Sequence, residues 1–593
     1  MPSLKAAPQR PRTGPPALWK IFARTAWVCA IIGALVFGLA LKKIEPLPLS
    51  LKPLHFEAPR AYEWMRRLSK DFPDRVTWSD SRKRAAVWLR GELKKLGYEP
   101  QGAQFSEVIA GQQYLDLENI YALKRGVSKP DEIIAVVAHY DVAERTHEGA
   151  MDDASGVGTV LELARVFARQ KTDRSILFLL TDSEEFGAFW GARSFVQSFP
   201  GARDIVAAIN FDFISPEKQT RVLTLTDGLK QGYTPLWLRE LALDSLRSLG
   251  SVKVMEMNHV VEFIQRAIQI PAADHGAFLA AGIPSFNWVG QTENFGHIMG
   301  HYHHTEYDVA EALQVESFEP FGKGAERLIY SIDALSRLPS DFRESSYWKL
   351  TSRLYIDGWV TTILHILAFI PFLIFSVVKF RDVLRQYTRS RVLLVLKNEA
   401  KSAAIVLASL LIGYVILLLL PTFRIITQYE AFPATQKSAI LYSPNFLAIL
   451  GVIAAVLVTY ALFQKLFKER VDALGYHEIR QSLHAAFLTV IIAAAIAKNS
   501  YLAVLLLLPP AYFWMAIRTR GKPEDRVLNG FLVLGGAITL VTVAIVMSSI
   551  FYVGAVYWYV FLSAAYGLIS AYTVVLFFMA LTVMIRLFRS FVI

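Results

Sequence analysis

The chain has 593 residues, of which 53% are hydrophobic and only 19% are charged, a composition that excludes an ordinary soluble protein of this length. The formal net charge of +11 would suit a nucleic-acid-binding protein. The Lys and Arg residues cluster in short loops beside apolar runs, however, so we reject nucleic acid as a partner. The single cysteine, Cys29, excludes an intrachain disulfide and a zinc site built on thiolates. Any bound metal must therefore use His, Asp and Glu.

Long apolar stretches predict several membrane-crossing helices, each of which needs about 20 apolar residues. The candidate spans are residues 25–41, 358–378, 402–423, 444–463, 483–497, 500–517, 530–552 and 564–585. The stretches 483–497 and 500–517 are short and predict a tight hairpin through Lys498, Asn499 and Ser500. The predicted organisation is a cytoplasmic tail (1–24), a first transmembrane helix (25–41), an exported domain (50–345) and an all-α polytopic transmembrane domain with about seven helices (357–593).

The distribution of Lys and Arg predicts the orientation in the bilayer. If the eight spans alternate, the loops on one side hold twenty-two Lys and Arg residues and the short loops on the other side hold three. Both termini are therefore expected in the cytoplasm, and the segment between the first two spans outside it. A cleaved signal peptide with a site near Gly38 and Ala40 is the alternative for the first span, and it exports the same segment.

Two further features bear on the membrane part. The exported segment has no Asn-x-Ser/Thr sequon, which favours a bacterial periplasm, and hence a bacterial inner membrane, over a eukaryotic lumen. Ionisable residues within the spans are scarce, and His365 is the clearest. An ion pathway normally shows several such residues. We therefore expect His365 to contact a neighbouring helix and not to serve transport.

The exported segment shows alternating helix-like and strand-like stretches. Helical periodicity predicts helices over 81–97, which Gly97 terminates, over 155–170 and over 186–199. Short, almost wholly apolar stretches predict strands over 132–138, 175–181 and 204–211. This alternation predicts an α/β domain whose mixed central sheet is flanked by helices. In such folds ligands bind beyond the carboxyl ends of the strands.

Acidic residues and histidines follow the three predicted strands directly. They are His139 and Asp141 after the first, Glu184 and Glu185 after the second, and Asp212 after the third. The loop GAMDDASG adds Asp152 and Asp153, and GHYHHTEYD (300–308) adds a His-rich segment. Each group alone has a structural explanation, such as acids that complement a helix dipole, a hydrogen-bonded strand-end histidine or a solvated loop. Their convergence at one sheet edge would make carboxylates repel, and bound divalent cations relieve that repulsion.

These motifs resemble those of the co-catalytic di-zinc aminopeptidases, metallopeptidase family 28 of clan MH. The resemblance covers residues from about 55 to 340 and none of the apolar C-terminal part. In chain order the motifs are HYD (139–141), GAMDDASG (149–156), EEFG (184–187), NFD (210–212), DHGAF…GIP (274–284) and HTEYD (304–308). The resemblance implies a zinc exopeptidase-like fold and two zinc ions per chain. The implied ligands are His139 and Asp212 for one ion, Glu185 and His304 for the other, and Asp152 as the bridge.

The resemblance also implies roles for residues around the ligands. A cis peptide bond would join Asp152 to Asp153, Asp141 would orient His139, and Glu184 would be the general base. His303 is an alternative to His304, which we prefer because it begins the H-T-x-x-D pattern. Tyr302 is a weak candidate for stabilising the oxyanion, and His275 is expected to be structural or to line the pocket.

The function that these expectations favour is hydrolysis of a terminal peptide bond by a membrane-bound metallopeptidase, an aminopeptidase in the first instance. Two zinc ions would activate a water molecule for which Glu184 is the base. Carboxypeptidase or dipeptidase activity is compatible with the same motifs. A glutaminyl-cyclase-like acyltransferase is a second hypothesis, against which the intact Asp152–Asp153 pair argues. A non-catalytic scaffold and a transporter with a peptidase appendage are the others. The expected partners are a peptide substrate and the lipid bilayer.

Overall fold

The computed structural model describes all residues except 1–14, 110–111, 186–188, 215, 217–219, 229–231, 270, 272, 424, 427–443, 467–476, 519–522, 552–555, 568 and 592–593. The strands are β1 (Lys42–Lys43), β2 (Gln101–Ile109), β3 (Gln112–Lys124), β4 (Lys129–His139), β5 (Arg174–Thr181), β6 (Ile205–Phe211), β7 (Arg221–Leu225), β8 (Lys253–Glu256), β9 (Ser285–Gln291), β10 (Tyr347–Lys349) and β11 (Leu354–Asp357).

The helices fall into two groups along the chain. Those before residue 340 are α1 (Pro15–Leu39), α2 (Ala58–Asp71), α3 (Asp80–Lys95), α4 (Ser155–Ala168), α5 (Trp190–Ser198), α6 (Leu236–Arg247), α7 (His259–Ile268), α8 (His275–Ala280), α9 (Phe295–His297) and α10 (Phe318–Ala334). Those after it are α11 (Gly358–Gln386), α12 (Arg389–Leu419), α13 (Pro444–Leu466), α14 (His477–Leu502), α15 (Leu508–Met515), α16 (Pro523–Phe551), α17 (Val556–Ala565) and α18 (Ala571–Phe591).

A mixed sheet forms the centre of the domain between the first two apolar spans, with strand order β2-β3-β5-β4-β6-β9-β7-β8. Strands β4, β5, β6 and β9 run parallel, whereas β3 and β7 each run antiparallel to a neighbour. The six predicted helices and strands all match observed ones, although residues 186–188 lie outside the described residues. Gly97 has φ +93°, which suits a glycine directly after a helix. The predicted fold class is confirmed.

Both faces of this sheet are covered, as the apolar character of its strands predicts. Along β4, Ile134 and Val136 face a cluster that includes residues of α2, α4 and α10, whereas Ala135 and Val137 face a cluster with residues of α5 and α8. Side chains alternate between the two faces of a strand, so one buried strand contributes to both clusters. The sheet is thereby held between two packed layers.

Among the described residues, six helical stretches are long and apolar enough to cross a membrane. They are Leu18–Leu39, Gly358–Gln386, Arg389–Leu419, Phe446–Leu466, His477–Met515 and Ala571–Arg589. The predicted span 483–497 falls within His477–Met515, and the predicted span 500–517 does so except for its last two residues. The predicted span 530–552 falls in α16, and residue 552 lies outside the described residues, as do parts of the loops on which the charge count depends.

The hairpin predicted at residues 498–500 is confirmed. The backbone leaves the helical conformation at Asn499, with φ −154° and ψ 96°. The side-chain amide of Gln481, near the start of α14, donates to the carbonyl oxygens of Met515 (3.4 Å) and Ile517 (2.7 Å) at the end of α15. The two arms therefore run antiparallel, and α15 returns to the level at which α14 begins.

One expectation about the membrane part needs correction, because ionisable residues within the helices are less scarce than the span boundaries suggested. Glu399 of α12 is buried against Arg480 (3.1 Å) and His484 (3.2 Å) of α14 and against Arg586 (3.1 Å) of α18. The cluster ties three helices together, and its members lie near the ends of the spans, where sequence boundaries are least certain. His365 contacts a neighbouring helix as expected, with Nδ1 2.9 Å from Ser500 Oγ.

The domain that contains the mixed sheet and the membrane half are in contact at several places. Strand β1, which follows α1, pairs with β11, which precedes α11, so the ends of the first two spans are joined. Trp190 of α5 and Ala280 of α8 pack against a cluster that contains Leu417 and Leu562 of the membrane half. These contacts bring the face of the domain that carries α5 and α8 next to one end of the apolar helices.

Candidate metal centre

The three strand ends named by the sequence meet at one edge of the sheet. Strand β4 pairs in parallel with both β5 and β6, and His139 at its end is in register with Thr181. Glu184 follows β5 and Asp212 follows β6, so parallel pairing delivers these side chains to the same edge as His139. The predicted juxtaposition is confirmed.

Asp152 lies at the centre of this group. Its Oδ1 is 3.1 Å from His139 Nε2, and its Oδ2 is 3.5 Å from His304 Nε2. His304 Nε2 is in turn 2.8 Å from Glu185 Oε2. Ligand-type atoms of His139, Asp152 and Asp212 all lie within 4.8 Å of one another, and so do those of Asp152 and the two adjacent histidines 303 and 304. Asp152 thus belongs to both groups, which is the arrangement that a bridging carboxylate requires.

The loop that carries Asp152 is fixed from both sides. The peptide bond between Asp152 and Asp153 is cis, as the resemblance implied. Asp153 accepts hydrogen bonds from the backbone N–H of Gly156 (2.8 Å) and of His139 (3.3 Å), which ties the first turn of α4 to the end of β4. Asp308 accepts from the backbone N–H groups of Met151 (2.6 Å) and Asp152 (3.1 Å). Asp308 is the last residue of HTEYD, and its role was not predicted.

A buried arginine, Arg75, holds the beginning of the same loop, a role that was not predicted. Its guanidinium donates to the carbonyl oxygens of Tyr140 (2.8 Å), Glu148 (2.8 Å) and Gly149 (3.2 Å). Gly149 has φ +54°, a left-handed conformation that favours glycine. Several buried carbonyl groups are satisfied by one side chain, so the approach to Asp152 is structurally fixed.

Asp141 links the proposed base to the proposed ligands. Its two carboxylate oxygens accept hydrogen bonds from the backbone N–H groups of Glu184 (3.0 Å) and Glu185 (3.2 Å). Its Oδ1 also lies 3.5 Å from His139 Nδ1, which leaves Nε2 of that ring toward Asp152. The Glu184 side chain faces the same space, with Oε2 4.0 Å from His139 Nε2. Asp141 therefore orients three groups at once.

The carboxyl groups of this site are crowded and buried. Burial, together with the neighbouring charges of Glu185, Asp212 and Asp274, raises the pKa of Glu184 well above its usual range, although His139 acts in the opposite direction. Burial and Asp152 similarly raise the pKa of Asp212. Burial would also raise the pKa of Asp152, but hydrogen bonds from His139 and His304 outweigh it and bring that pKa below its usual range. A cation is the natural partner for such a set.

The donor atoms fit zinc. Imidazole nitrogens and carboxylate oxygens are ordinary zinc ligands, and His139, Asp152, Asp212, Glu185 and His304 supply them. Among the described residues, the buried Oε1 of Glu185 has no hydrogen-bond partner. An unsatisfied buried carboxylate oxygen is costly, and a bound cation would satisfy it.

The other three candidates differ in their surroundings. The His303 ring stacks on the His304 ring, with centroids 3.7 Å apart, and its Nε2 is 3.4 Å from Asp152 Oδ2. Of these two histidines, His304 is the one that contacts Glu185, whereas His303 contacts Asp152, which agrees with our preference for His304. Tyr302 packs against His297 and His301. His275 is fully buried at the start of α8, as expected of a structural residue.

Comparison with known proteins agrees with this geometry. The sequence profile of peptidase family M28 matches residues 119–329. A "Probable zinc metalloprotease" of the fungus Pyrenophora tritici-repentis is 25% identical over 249 residues, which cover 36% of this chain and 57% of that protein. A "Probable zinc metalloprotease" of Pyricularia oryzae is 32% identical over 113 residues, 18% of this chain and 22% of that protein. The chain spans about half the length of the first of these relatives.

Two solved structures are also similar. A zinc aminopeptidase from Bacillus subtilis has 15% sequence identity and a TM-score of 0.40, and the match covers 49% of this chain and 100% of that one. A glutaminyl cyclase from Bacteroides thetaiotaomicron has 20% identity and a TM-score of 0.39, with 47% and 98% covered. The profile match spans the strands, loops and ligand motifs described above. The segment from residue 119 to residue 329 therefore belongs to peptidase family M28.

Proposed function

We propose that the chain is a membrane-bound di-zinc metallopeptidase that hydrolyses terminal peptide bonds. The observation that carries the proposal is the position of Asp152 between two groups of ligand-type atoms, with Glu184 beside them. His139 and Asp212 would hold one zinc ion and Glu185 and His304 the other, bridged by Asp152. When bound, the two ions would polarise the attacking water and the scissile carbonyl group.

The chain's own residues account for the remaining steps. Glu184 takes a proton from the attacking water and delivers it to the amine that leaves. Asp141 holds the backbone at Glu184 and Glu185 and keeps His139 in one orientation. Asp308 and Asp153 hold the loop on either side of the cis peptide bond. Burial of Glu184 raises its pKa, which suits a group that must both accept and return a proton.

Aminopeptidase activity is our first choice among exopeptidase activities. A glutaminyl-cyclase-like acyl transfer is the alternative, and the intact pair Asp152–Asp153 favours hydrolysis over it.

We further propose that α1 and the apolar helices after residue 357 are embedded in a bilayer, with both termini in the cytoplasm and the peptidase domain outside it. The class of organism stays a prediction, and the relatives named above are fungal.

A peptide-library digest tests the proposed function. Detergent-purified protein is incubated with the library with and without a zinc chelator, and the products are read by mass spectrometry. We expect single residues to disappear from peptide N-termini, and the chelator to stop this. Loss of single residues from peptide C-termini would still support a peptidase, but one that acts at the C-terminus and not at the N-terminus. Cyclised N-terminal glutamine without cleavage would support the acyltransferase, and an unchanged library would contradict both enzymatic functions.

A further inference from the structure

Asn499 starts the return arm of the membrane hairpin. Its backbone is extended, and its side-chain Oδ1 accepts a hydrogen bond from the backbone N–H of Leu502 at 3.2 Å. This is the bond that an N-cap residue makes to the N–H three positions later, and Asn is among the preferred residues there. The oxygen of this amide therefore caps a helix within the membrane half.

The nitrogen of the same amide reaches into the peptidase domain. Asn499 Nδ2 donates to the carbonyl oxygens of Arg266 and Ala267, each at 3.0 Å. These carbonyl groups belong to the last turn of α7, whose carbonyls have no partner within the helix. The chain leaves α7 through Gln269, whose N–H bonds to the carbonyl oxygen of Gln265 at 2.7 Å. One side chain thus caps two helices in the two halves of the molecule.

Aromatic and charged contacts surround this amide. The Tyr501 ring stacks on Trp348 with centroids 5.7 Å apart and meets Phe263 of α7 edge-on at 5.2 Å. The Arg266 guanidinium lies 3.7 Å from the centroid of the Tyr233 ring and pairs with Glu262 at 2.9 Å. The contact of Asn499 with α7 is therefore part of a packed interface and not an isolated bond.

Helix α7 also contacts the segment after β7, and the chain after it reaches Asp274. Gln265 donates to Asp227, which follows β7, at 2.9 Å. Six residues after the end of α7, Asp274 accepts a hydrogen bond from the Thr181 hydroxyl at the end of β5, three residues before Glu184. Helix α7 thus contacts the hairpin at its C-terminal end and precedes, along the chain, a carboxylate that is bonded at the edge of the sheet where the ligands gather.

We propose that Asn499 is a positioning residue for the peptidase site: by capping α7 from the membrane half, it fixes the helix that precedes Asp274, whose carboxylate accepts a hydrogen bond from Thr181 at the end of β5. This inference rests on the proposed function for its kinetic consequence only. None of the five proposed metal ligands lies in α7: four lie at or just after the ends of β4, β5 and β6 or on the loop of Asp152, and His304 lies after β9, so loss of the cap leaves them in place. The cost falls on substrate affinity.

Substitutions at Asn499 separate its two capping roles. Asn499→Asp and Asn499→Ser keep an oxygen for the N–H of Leu502, but the Asp carboxylate has no donor for α7 and the shorter Ser side chain lacks the amide nitrogen that reaches it. We expect both variants to bind zinc as the parent does, to raise KM for a peptide about tenfold, and to leave kcat within about twofold, since one helix cap corresponds to roughly that factor. Amide hydrogen exchange in a fragment spanning α7 is expected to accelerate about tenfold. The exposed neighbouring substitution Lys498→Ala is the matched control and should change neither measurement.

The KM measurement and the hydrogen-exchange measurement test different parts of the proposal. Unchanged KM and unchanged exchange in Asn499→Ser would overturn the proposal, and so would a fall in kcat together with loss of zinc. Should Asn499→Asp fail to fold, Asn499→Ser carries the test. If the parent protein cleaves no peptide, the proposed function is wrong. Faster exchange of α7 in Asn499→Ser would then still support the cap, and unchanged exchange would overturn it.

Discussion

The Asp308 carboxylate accepts a hydrogen bond from the backbone N–H of Asp152 at 3.1 Å, and its other oxygen accepts from the N–H of Met151. The residue that closes the HTEYD motif therefore holds the loop of the bridging carboxylate. We expect Asp308→Ala to weaken zinc binding about 10- to 100-fold, the usual effect of removing a group that orients metal ligands. Titration with a competing chelator measures this, and the exposed Asp341→Ala is the control. An unchanged affinity would show that Asp152 needs no such support.

Glu184→Gln separates the proposed base from the proposed ligands. The amide cannot accept the proton, so we expect kcat to fall by a factor of about 10² to 10⁴. Zinc content should stay at the parent value, because Glu184 is not among the five ligands. Steady-state kinetics and elemental analysis of the same preparation are the measurements. Glu293→Gln, at a side chain that is 84% exposed, should behave as the parent does. Near-normal turnover in Glu184→Gln would remove Glu184 from the mechanism.

The buried carboxyl group of Asp227 is expected to make the free energy of unfolding depend on pH. Burial raises the pKa of this carboxyl group from 3.8 to about 7. Between these values the folded chain keeps a proton that the unfolded chain has released, so stability falls as the pH rises from about 4 to 7. Asp227→Asn should remove up to roughly 4 kcal/mol of this pH dependence, since one pKa unit corresponds to about 1.4 kcal/mol.

Thermal unfolding at pH 5 and pH 8 measures this effect. The difference in Tm between pH 5 and pH 8 should be smaller in Asp227→Asn than in the parent. The Asn side chain keeps an oxygen that can accept the hydrogen bond from the Gln265 amide. The exposed Asp204→Asn should leave the difference unchanged. A difference in Asp227→Asn as large as in the parent would mean that Asp227 is ionised in the folded chain.

The proposed orientation in the bilayer predicts which cysteines react from outside. In a Cys29→Ala background, Lys498→Cys lies at the hairpin tip beside the peptidase domain, whereas Arg385→Cys lies at the opposite end of α11. A membrane-impermeant maleimide added to cells whose outer membrane, where present, has been permeabilised should label the first and not the second. A reporter fused after Ile593 should likewise report the cytoplasm. The reverse labelling pattern would overturn the orientation.

The strand-end residues could be predicted from sequence because parallel pairing converts chain position into spatial position. His139, Glu184 and Asp212 each follow an apolar strand directly, so their meeting needed only the topology. Six helices and strands between residues 81 and 211 were predictable for a similar reason, since their apolar periodicity is local, whereas β2 and β3 were not predicted. The hairpin at Asn499 was also visible, as a polar break between two short apolar stretches.

The residues that sequence reasoning missed act through contacts between distant parts of the chain. Arg75 resembled any surface arginine until the carbonyl groups around it were known. Glu399 lies near the end of an apolar run, and only the packing of α14 and α18 shows that it is buried. The two hydrogen bonds that Asn499 donates to the end of α7 join residues more than 230 positions apart, and no local sequence pattern indicates them. The HTEYD motif did contain Asp308, but its spacing alone says nothing of what that side chain bonds.

The number of zinc ions per chain tests the central claim most directly. Elemental analysis of detergent-purified parent protein and of Asp152→Asn measures it in one experiment. We predict about two zinc ions per parent chain and fewer than one in the variant, because Asp152 contributes to both groups of ligands. At most one zinc ion in the parent chain, or an undiminished content in Asp152→Asn, would contradict a bridged pair of ions.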